Sequence, residues 1–350
     1  MCLSFSRSGR IALVLSVGLG VASVAGCGSD EADDADGAQP PAGYPMDDVL
    51  RLQHIQAKGT HNSYHVESET NVLDLLGYTH VPIDQQLADQ GVRHFELDLR
   101  VDPTEDIVVV FHETFDTETT CRRFTDCLQT LKDWSDASPG HHPLGVILEP
   151  KDDVEPAEAD AWVDKVEQEV LSVWPKERIV TPELVQGGAP SLREAITTTG
   201  WPTLGELRGK IFFVLHETEV LRTAYTHGDT DLAGRAMFVQ SLGEEPYASV
   251  LILNDPVDDA AAIADAVGAG FLVRTRADAD TIEARKGDTS RRDAAFAGGA
   301  QLISTDYPAP VEGIDYSVDV PGGTPSRCNP VGAPEGCTPL AVENPELLQR

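Results

Sequence analysis

The feature that most constrains the fold of this chain is a regular alternation of short apolar runs and longer helical patterns. Eight runs have the length and composition of strands, at residues 55–58, 94–100, 107–112, 145–148, 211–216, 250–253, 271–276 and 301–304. Several are continuously apolar, which is typical of a parallel sheet covered by helices. The stretches between them carry helical patterns, as where Trp162, Val166 and Val170 recur at every fourth residue. The alternation predicts an α/β fold, a TIM-type (β/α)8 barrel over residues 46–310 that need not be regular.

An open, doubly wound sheet is the alternative architecture for the same alternation. Such sheets usually have fewer strands, and no glycine-rich dinucleotide loop follows the first run here. The sequence therefore favours the barrel.

The amino terminus reads as a targeting segment. Arg7 and Arg10 precede an apolar stretch, residues 11–25, that is too short for a comfortable membrane span. It ends in Val-Ala-Gly-Cys at residues 24–27, which resembles the bacterial lipobox, and this resemblance implies cleavage before Cys27 and a lipid on its sulfur. An ordinary secretory signal is the alternative. Both readings predict export, with the mature protein anchored by lipid at the bacterial cell envelope or secreted.

Two further segments flank the predicted barrel. Residues 27–45 are rich in Asp, Gly, Ala and Pro, a composition that predicts a flexible acidic tether after a signal peptide of residues 1–26. Residues 311–350 are rich in Pro and Gly and contain two cysteines. We interpret them as a stapled carboxyl-terminal extension of the barrel and not as a second domain.

The six cysteines divide by position. Cys2 leaves with the signal segment and Cys27 is the candidate for lipidation. In an exported protein, two local disulfides are the economical pairing for the other four, Cys121 with Cys127 and Cys328 with Cys337. The rival interpretation, a zinc site, lacks the short Cys-x-x-Cys spacing and nearby histidines.

The charge of the chain limits its partners. The formal net charge is −32 in 350 residues, and no run rich in Lys or Arg offsets it. The sequence therefore predicts no nucleic acid partner, and any lipid contact must be local or tethered. A solvated acidic surface accounts for most of this charge. We expect a monomer.

The second run, residues 94–100, carries the clearest site signal. Side chains of a strand alternate between its two faces, so Phe95, Leu97 and Leu99 point one way while Glu96 and Asp98 point the other. The apolar face must meet the helices. We therefore expect two carboxylates inside the barrel, close enough to converge on one cation.

Other polar residues end the remaining runs. They are His61 and Asn62 after the first, His112 after the third, Glu149 and Lys151 after the fourth, and Asp306 after the last. In a TIM-type barrel, the carboxyl ends of the strands meet at one rim, where active sites form. We expect these residues to converge there.

The residue types point to metal-dependent chemistry on a phosphodiester. Asn62, Glu96, Asp98 and Glu149 offer only oxygen ligands, which suit calcium or magnesium. His61 and His112 suit acid–base work, with Asp306 orienting an imidazole. Lys58, Arg100 and Lys151 are candidates to hold a phosphate. No Gly-x-Ser-x-Gly motif is present and no exported cysteine is left unpaired, which excludes serine and cysteine hydrolases.

Five motifs resemble those of the calcium-dependent phosphatidylinositol-specific phospholipase C family of bacteria. They are Gly-Thr-His-Asn-Ser-Tyr (59–64), Phe-Glu-Leu-Asp-Leu-Arg (95–100), Val-Phe-His-Glu (110–113), Leu-Glu-Pro-Lys (148–151) and Ser-Thr-Asp-Tyr-Pro (304–308). The resemblance implies a barrel that cleaves phosphatidylinositol to diacylglycerol and inositol phosphate by way of a cyclic phosphate. It also implies that His61 and His112 are the catalytic pair. One calcium ion would be bound by Asn62, Glu96, Asp98 and Glu149.

Two other functions remain open from the sequence. Glu-x-Lys at residues 149–151, and Glu-x-Asp followed later by His-Glu, also resemble glycerophosphodiester phosphodiesterases, which share the barrel. Those usually have His-Arg where this chain has His61-Asn62. The other class is an inactive, surface-anchored binding protein, although every position of the catalytic set is filled here.

Overall fold

A computed structural model describes residues 43–71, 73–323 and 325–349. Its strands, in chain order, are β1 Ile55–Thr60, β2 His94–Asp102, β3 Ile107–Val110, β4 Leu144–Pro150, β5 Ile211–Leu215, β6 Phe238–Val239, β7 Val250–Ile252, β8 Leu272–Arg276, β9 Leu302–Thr305 and β10 Ser326–Cys328. Its α-helices are α1 Ile83–Ala88, α2 Phe124–Ala137, α3 Ala159–Val173, α4 Pro182–Gln186, α5 Leu192–Thr198, α6 Leu204–Leu207, α7 Val220–Tyr225, α8 Ala260–Gly268, α9 Ile282–Lys286, α10 Ser290–Ala297 and α11 Pro339–Val342.

Eight of these strands form a nearly closed parallel barrel. Their order is β6-β5-β4-β2-β1-β9-β8-β7, and every neighbouring pair is parallel. A parallel bridge between Gln240 and Val250 joins β6 to β7 and links the two ends. The TIM-type barrel is confirmed, and the closure rules out the open doubly wound sheet.

The third predicted barrel strand was wrong. Strand β3 pairs antiparallel with β2, with Leu99 opposite Val110 and Asp102 opposite Ile107, so the two strands form a hairpin. Only four residues connect them, whereas a parallel pair needs a crossover of a dozen or more residues. The missing barrel strand is β6, which has only two residues, Phe238 and Val239, and is too short for a clear apolar pattern.

The helices cover the barrel as the apolar stripes predict. Trp162, Val166 and Val170 of α3 are buried in the main hydrophobic core, which also contains Phe213 of β5. Among the described residues, no helix is long and apolar enough to cross a bilayer.

Inside the barrel, one glycine makes room for a histidine. A Cβ on Gly59 of β1 would lie 2.0 Å from the His94 ring, so only glycine fits at this position. His94 is fully buried, and burial lowers its pKa to about 3. The ring therefore stays neutral and packs beneath the polar upper part of the barrel.

The carboxyl-terminal extension packs against the end of the barrel at which the strands begin. Strand β10 pairs antiparallel with β1, and the buried carboxylate of Glu343 binds the Arg93 guanidinium just before β2. Both predicted disulfides are present, Cys121–Cys127 and Cys328–Cys337, with Cα atoms 5.5 and 6.0 Å apart. The extension is thus packed into the barrel domain and stapled by the second disulfide.

The packed domain begins slightly earlier than the predicted boundary at residue 46. Tyr44 is buried, its hydroxyl donates to the Asn344 carbonyl, and its ring lies 3.3 Å from the Arg208 guanidinium carbon. Tyr44 is therefore not part of a free tether. The signal segment, Cys27 and residues 28–42 lie outside the described residues.

Candidate active site

Strand β2 delivers two carboxylates into the barrel. Phe95, Leu97 and Leu99 belong to the hydrophobic core, as the alternation predicts. Glu96 and Asp98 point to the opposite face and are both buried. Two acidic groups so close together in a buried interior require positive charge nearby.

An arginine that the sequence analysis missed meets the first carboxylate. Arg274 of β8 forms a buried ion pair with Glu96, and its other nitrogens donate to Ser304 (3.0 Å) and Asn254 (2.5 Å). Burial by itself would raise the pKa of Glu96, but the guanidinium lowers it to about 2. The sequence contained a pattern that could have identified this residue. Arg274 and Arg276 alternate along β8 as Glu96 and Asp98 do along β2.

Lys151 lies between the second carboxylate and Glu149. Its ammonium is 3.3 Å from Asp98 Oδ2 and 2.7 Å from Glu149 Oε1. Burial opposes charge on the ammonium, yet the two carboxylates raise the pKa of Lys151 above its usual value. Burial and the negative charge of Glu149 raise the pKa of Asp98. Asp98 therefore remains short of compensating positive charge.

His216 is a second residue that the sequence analysis missed. Its Nδ1 lies 3.6 Å from Glu149 Oε2 and 3.8 Å from Glu96 Oε1. Burial would lower the pKa of His216, but the two carboxylates raise it to about 9. His216 directly follows the apolar strand β5, the same signal that singled out His112 and Glu149.

The donor set fits a divalent cation. Ligand atoms of Glu96, Glu149 and His216 all lie within 4.8 Å of one another. Nearby, Asn62 Oδ1 and both Asp98 oxygens are buried without a hydrogen-bond partner among the described residues. Leaving such oxygens unpaired is costly, and a hard cation with oxygen ligands satisfies them. The three predicted carboxylate ligands thus face one region with His216 beside them, and Asn62 follows the neighbouring strand β1.

His61 is held by a carboxylate from the last barrel strand. Its Nδ1 lies 2.8 Å from Asp306 Oδ1, and Asp306 Oδ2 accepts a bond of 3.3 Å from Arg276. Burial, helped by the Arg276 charge, holds the pKa of His61 well below its usual value. A neutral imidazole with one nitrogen tied to a carboxylate is suited to accept a proton at the other.

Asn62 sits in the turn that directly follows β1. Its φ of 42° is left-handed, a conformation that asparagine tolerates better than most residues. Two hydrogen bonds join this turn to β2. Ser63 N donates to the Glu96 carbonyl and Glu96 N donates to Ser63 Oγ, both at 2.9 Å. The Asn62 amide nitrogen donates to Tyr78 OH at 3.1 Å, while its oxygen has no hydrogen-bond partner in the described part of the chain.

His112 reaches the site from the hairpin instead of from a barrel strand. It follows β3, and its Nδ1 lies 3.4 Å from Asp116 Oδ2. Burial and the nearby Lys151 charge lower the pKa of His112, while Asp116 raises it. Arg100 of β2 binds the carbonyls of both His112 and Lys151, so His112 lies on the side of the site formed by β2 and β4.

Two of the predicted phosphate-binding residues are used elsewhere. Lys58 lies on the face of β1 opposite to Gly59, where its ammonium donates to the Pro308 carbonyl at 2.7 Å and lies 3.8 Å from Asp319. Arg100 binds the carbonyls of Lys151 and His112 at 2.7 and 3.0 Å and the Glu113 carboxylate at 2.9 Å. The structure does not bring Lys58 to the site, and Arg100 joins the loops around it.

The family of the chain follows from a sequence comparison. The family model described as "Phosphoinositide phospholipase C, Ca2+-dependent" matches residues 50–107 and 104–330, well over half of the chain. The chain belongs to this family. No curated protein matches the sequence.

Solved structures of phosphoinositide phospholipases C share the barrel. The calcium-dependent enzyme from Pseudomonas sp., apo crystal form 2, is 18% identical with a TM-score of 0.58, and the match covers 81% of this chain and 97% of that one. The structure of the same Pseudomonas enzyme titled as a myoinositol complex is 19% identical, with a TM-score of 0.56 and the same coverage. The enzyme from Streptomyces antibioticus is 18% identical with a TM-score of 0.51, covering 74% of this chain and 95% of that one. These likenesses show the fold, while the family model establishes this chain as a phosphoinositide phospholipase C.

Proposed function

We propose that this phospholipase C cleaves phosphatidylinositol to diacylglycerol and inositol phosphate, by way of a cyclic phosphate, with one bound calcium ion. The main support for the proposal is a set of buried oxygens that lack a hydrogen bond among the described residues, Asn62 Oδ1 and both Asp98 oxygens, at the barrel end that also holds the His61–Asp306 pair. A calcium ion suits this oxygen-rich set better than magnesium, which demands near-ideal octahedral geometry.

His61 has the geometry of the general base. Asp306 binds its Nδ1, so Nε2 is the nitrogen that accepts the proton of the inositol 2-hydroxyl. The buried pair favours the neutral imidazole, since the pKa of His61 is lowered and that of Asp306 is raised by burial. Asp306 orients the ring and stabilises the imidazolium that forms.

His112 is the proton donor in this proposal. Attack of the 2-hydroxyl on phosphorus expels the diacylglycerol oxygen, which needs a proton because an alkoxide is a poor leaving group. His112 comes from the hairpin side, so that the two histidines reach the phosphate from different elements. Water then opens the cyclic phosphate with the two roles reversed.

The cation and the basic side chains complete the site. When bound by Asn62, Glu96, Asp98 and Glu149, calcium supplies charge neutralisation for the phosphate and the attacking hydroxyl. We assign Lys151, whose ammonium lies beside Asp98 and Glu149, to a phosphate oxygen of the substrate. Arg100 supports the loops of His112 and Lys151.

The surface of the barrel supports a lipid substrate. Of the twelve large hydrophobic residues that are exposed in the described part of the chain, seven lie on segments that follow the carboxyl ends of the strands or of the hairpin, namely Leu73, Leu75, Phe115, Leu242, Val257, Ile282 and Val311. These segments surround the end of the barrel where the site lies. Apolar side chains there contact a bilayer locally, which an acidic protein needs because its net charge gives no attraction to anionic lipid.

We further propose that the mature protein is a monomer anchored through lipid on Cys27 at the bacterial cell envelope. The lipobox-like residues 24–27 support this, and a tether raises the local concentration of the enzyme at its substrate. Wild-type protein is expected in the membrane fraction. The Cys27→Ser variant should be exported but soluble, and an unmodified mature amino terminus in mass spectrometry would contradict the anchor.

The decisive experiment is product analysis by phosphorus NMR. Phosphatidylinositol and a glycerophosphodiester are each incubated with the enzyme, in calcium and in excess chelator. We expect a cyclic inositol phosphate only from phosphatidylinositol with calcium. Turnover of the glycerophosphodiester alone would indicate the related phosphodiesterase activity, and no turnover of either would indicate a binding protein.

A further inference from the structure

One carboxylate is shared by two histidines at the edge of the site. Asp116 Oδ2 lies 3.0 Å from Nε2 of His65 and 3.4 Å from Nδ1 of His112. Asp116 and His65 are both buried. The other ring nitrogen of His65 lies 3.0 Å from the Tyr78 carbonyl oxygen. His65 and Asp116 therefore form a connected pair behind the predicted proton donor.

The positions of the protons follow from the partners. A carbonyl oxygen only accepts, so Nδ1 of His65 carries a hydrogen. Nε2 of His65 then lies at hydrogen-bond distance, 3.0 Å, from Asp116 Oδ2. The same Asp116 oxygen lies 3.4 Å from Nδ1 of His112, a buried nitrogen that makes no hydrogen bond among the described residues. This contact favours a hydrogen on Nδ1, which leaves Nε2 of His112 to exchange a proton with substrate.

His65 also ties the hairpin loop to the loop after β1. His65 and Thr119 form a β-bridge, and Thr120 N donates to the Tyr64 carbonyl at 2.8 Å. The Asp116 backbone is itself held in a tight turn by two bonds with Glu113. The carboxylate is thus fixed on both sides before substrate arrives.

Tyr78 extends the connection to the other half of the site. Its ring lies 4.5 Å from the His65 ring, centroid to centroid, and its hydroxyl accepts from the Asn62 amide. The segment that carries His61 and Asn62 is therefore packed against the pair that faces His112.

We propose that Asp116 and His65 are positioning residues that set the tautomer and orientation of His112. This inference rests on the proposed role of His112 as proton donor. It assigns a role to two residues, Asp116 and His65, that lie outside the five sequence motifs. Asp116 holds Nδ1–H, and His65 holds Asp116.

A pH effect of this arrangement has a definite sign. The charged or titratable groups around His112 are Asp116 and Glu113 of its own loop, Lys151 after β4, His65 after β1 and Arg100 of β2, which binds the His112 carbonyl. The Asp116 carboxylate stabilises the imidazolium. Removing its charge lowers the pKa of His112, so the fraction of enzyme with a protonated donor falls at a lower pH than in the wild type.

The test compares Asp116→Asn with Asp231→Asn. Asp231 forms an exposed contact of 3.0 Å with His227 at the same four-residue spacing, which makes it a matched control. Asp116→Asn should lower kcat on phosphatidylinositol about 10- to 100-fold, less than loss of the acid group itself. It should change kcat little on a nitrophenyl inositol phosphate, whose leaving group needs no proton. The basic limb of its pH profile should move to lower pH, while Asp231→Asn should match the wild type.

A second measurement does not depend on activity. Nitrogen-15 NMR of labelled histidine should show His112 as the Nδ1–H tautomer in the wild type and as a mixture in Asp116→Asn. His65→Leu should resemble Asp116→Asn, and His65→Gln, which keeps a donor toward Asp116, should retain more activity. Equal losses on the two substrates, or an unchanged tautomer, would overturn the inference. Failure of the wild type to cleave phosphatidylinositol would instead reject the proposed function.

Discussion

His61 and Asp306 are 2.8 Å apart, Nδ1 to Oδ1, although 245 residues separate them in the chain. The contact exists because β1 and β9 are neighbouring parallel strands, with Thr60 opposite Thr305, so the residues that follow them meet at the same rim. Barrel closure thus creates an imidazole–carboxylate pair beside the acidic cluster.

The two histidines should respond differently to the leaving group. His112→Ala is expected to lose about 10²–10⁴-fold on phosphatidylinositol, the usual range for one acid–base group, and far less on a nitrophenyl inositol phosphate. His61→Ala should be crippled on both substrates, because nucleophile activation is needed whatever leaves. Steady-state kinetics on the two substrates checks this. Equal losses for His112→Ala would remove it from the acid role.

Calcium binding should depend on the carboxylates of β2. Glu96→Gln and Asp98→Asn are expected to weaken calcium affinity, measured by isothermal titration calorimetry, because each removes charge from a buried oxygen ligand. Excess chelator should abolish turnover and added calcium should restore it. Asp84→Asn, on the exposed side of α1, is the control and should bind calcium as the wild type does. Full activity in chelator would reject the metal assignment.

Lys151 should matter most to the metal-free enzyme. Its removal in Lys151→Met leaves Asp98 and Glu149 without their cation, a change that costs at most about 3–5 kcal/mol for a buried pair. We expect the melting temperature in chelator to fall by several degrees and to recover with calcium. Lys165→Met removes an ammonium 2.9 Å from Asp106, whose side chain is 88% exposed, and should change little. A loss that calcium does not reverse would show that Lys151 acts outside the cation site.

The exposed hydrophobic residues around the site, such as Phe115, should affect binding to lipid bilayers and not the chemical step. Phe115 is 69% exposed on the loop after His112. Phe115→Ser is expected to lower activity on phosphatidylinositol vesicles several-fold while leaving a soluble nitrophenyl inositol phosphate unaffected. Leu171→Ser, 41% exposed on the outer helix α3, serves as the control. Similar vesicle activity for the two variants would argue against the rim as the contact surface.

Acid should destabilise the fold through histidines far from the site. His141 and His142 are buried before β4, and burial lowers their pKa to about 3 and about 4. Below pH 6.5 these two histidines become protonated in the unfolded chain but stay neutral in the folded protein. The free energy of unfolding therefore falls as the pH drops toward 4. The slope is about 1.4 kcal/mol per pH unit for each histidine.

Thermal unfolding between pH 7.5 and 5 measures this slope. His142→Gln should show a shallower decline than the wild type. His227→Gln, in an exposed loop, is the control and should follow the wild type. Parallel curves for all three proteins would contradict the assignment.

Several features could be predicted from local periodicity in the sequence. The alternation in β2 placed Glu96 and Asp98 on one face, and the apolar strands with helical stripes predicted the barrel. The close spacing of Cys121 and Cys127 similarly determined a local disulfide. These features follow from the strand and helix repeats and from short chain connections, which do not depend on the rest of the fold.

Which distant groups meet depends on the folded barrel as a whole. Strand pairing turned residues 107–110 into a hairpin and recruited the two-residue β6, because pairing partners depend on closure of the whole sheet. The direction of each side chain in the barrel placed Lys58 on the face of β1 away from the site. It also brought His216 and Arg274 to the carboxylates. Each of these residues carries the same chemistry in the unfolded chain. Their roles depend on the direction of each side chain in the folded barrel. For Lys58 and Arg274 they also depend on neighbours more than a hundred residues away in the chain, and a local sequence pattern contains no information about such neighbours.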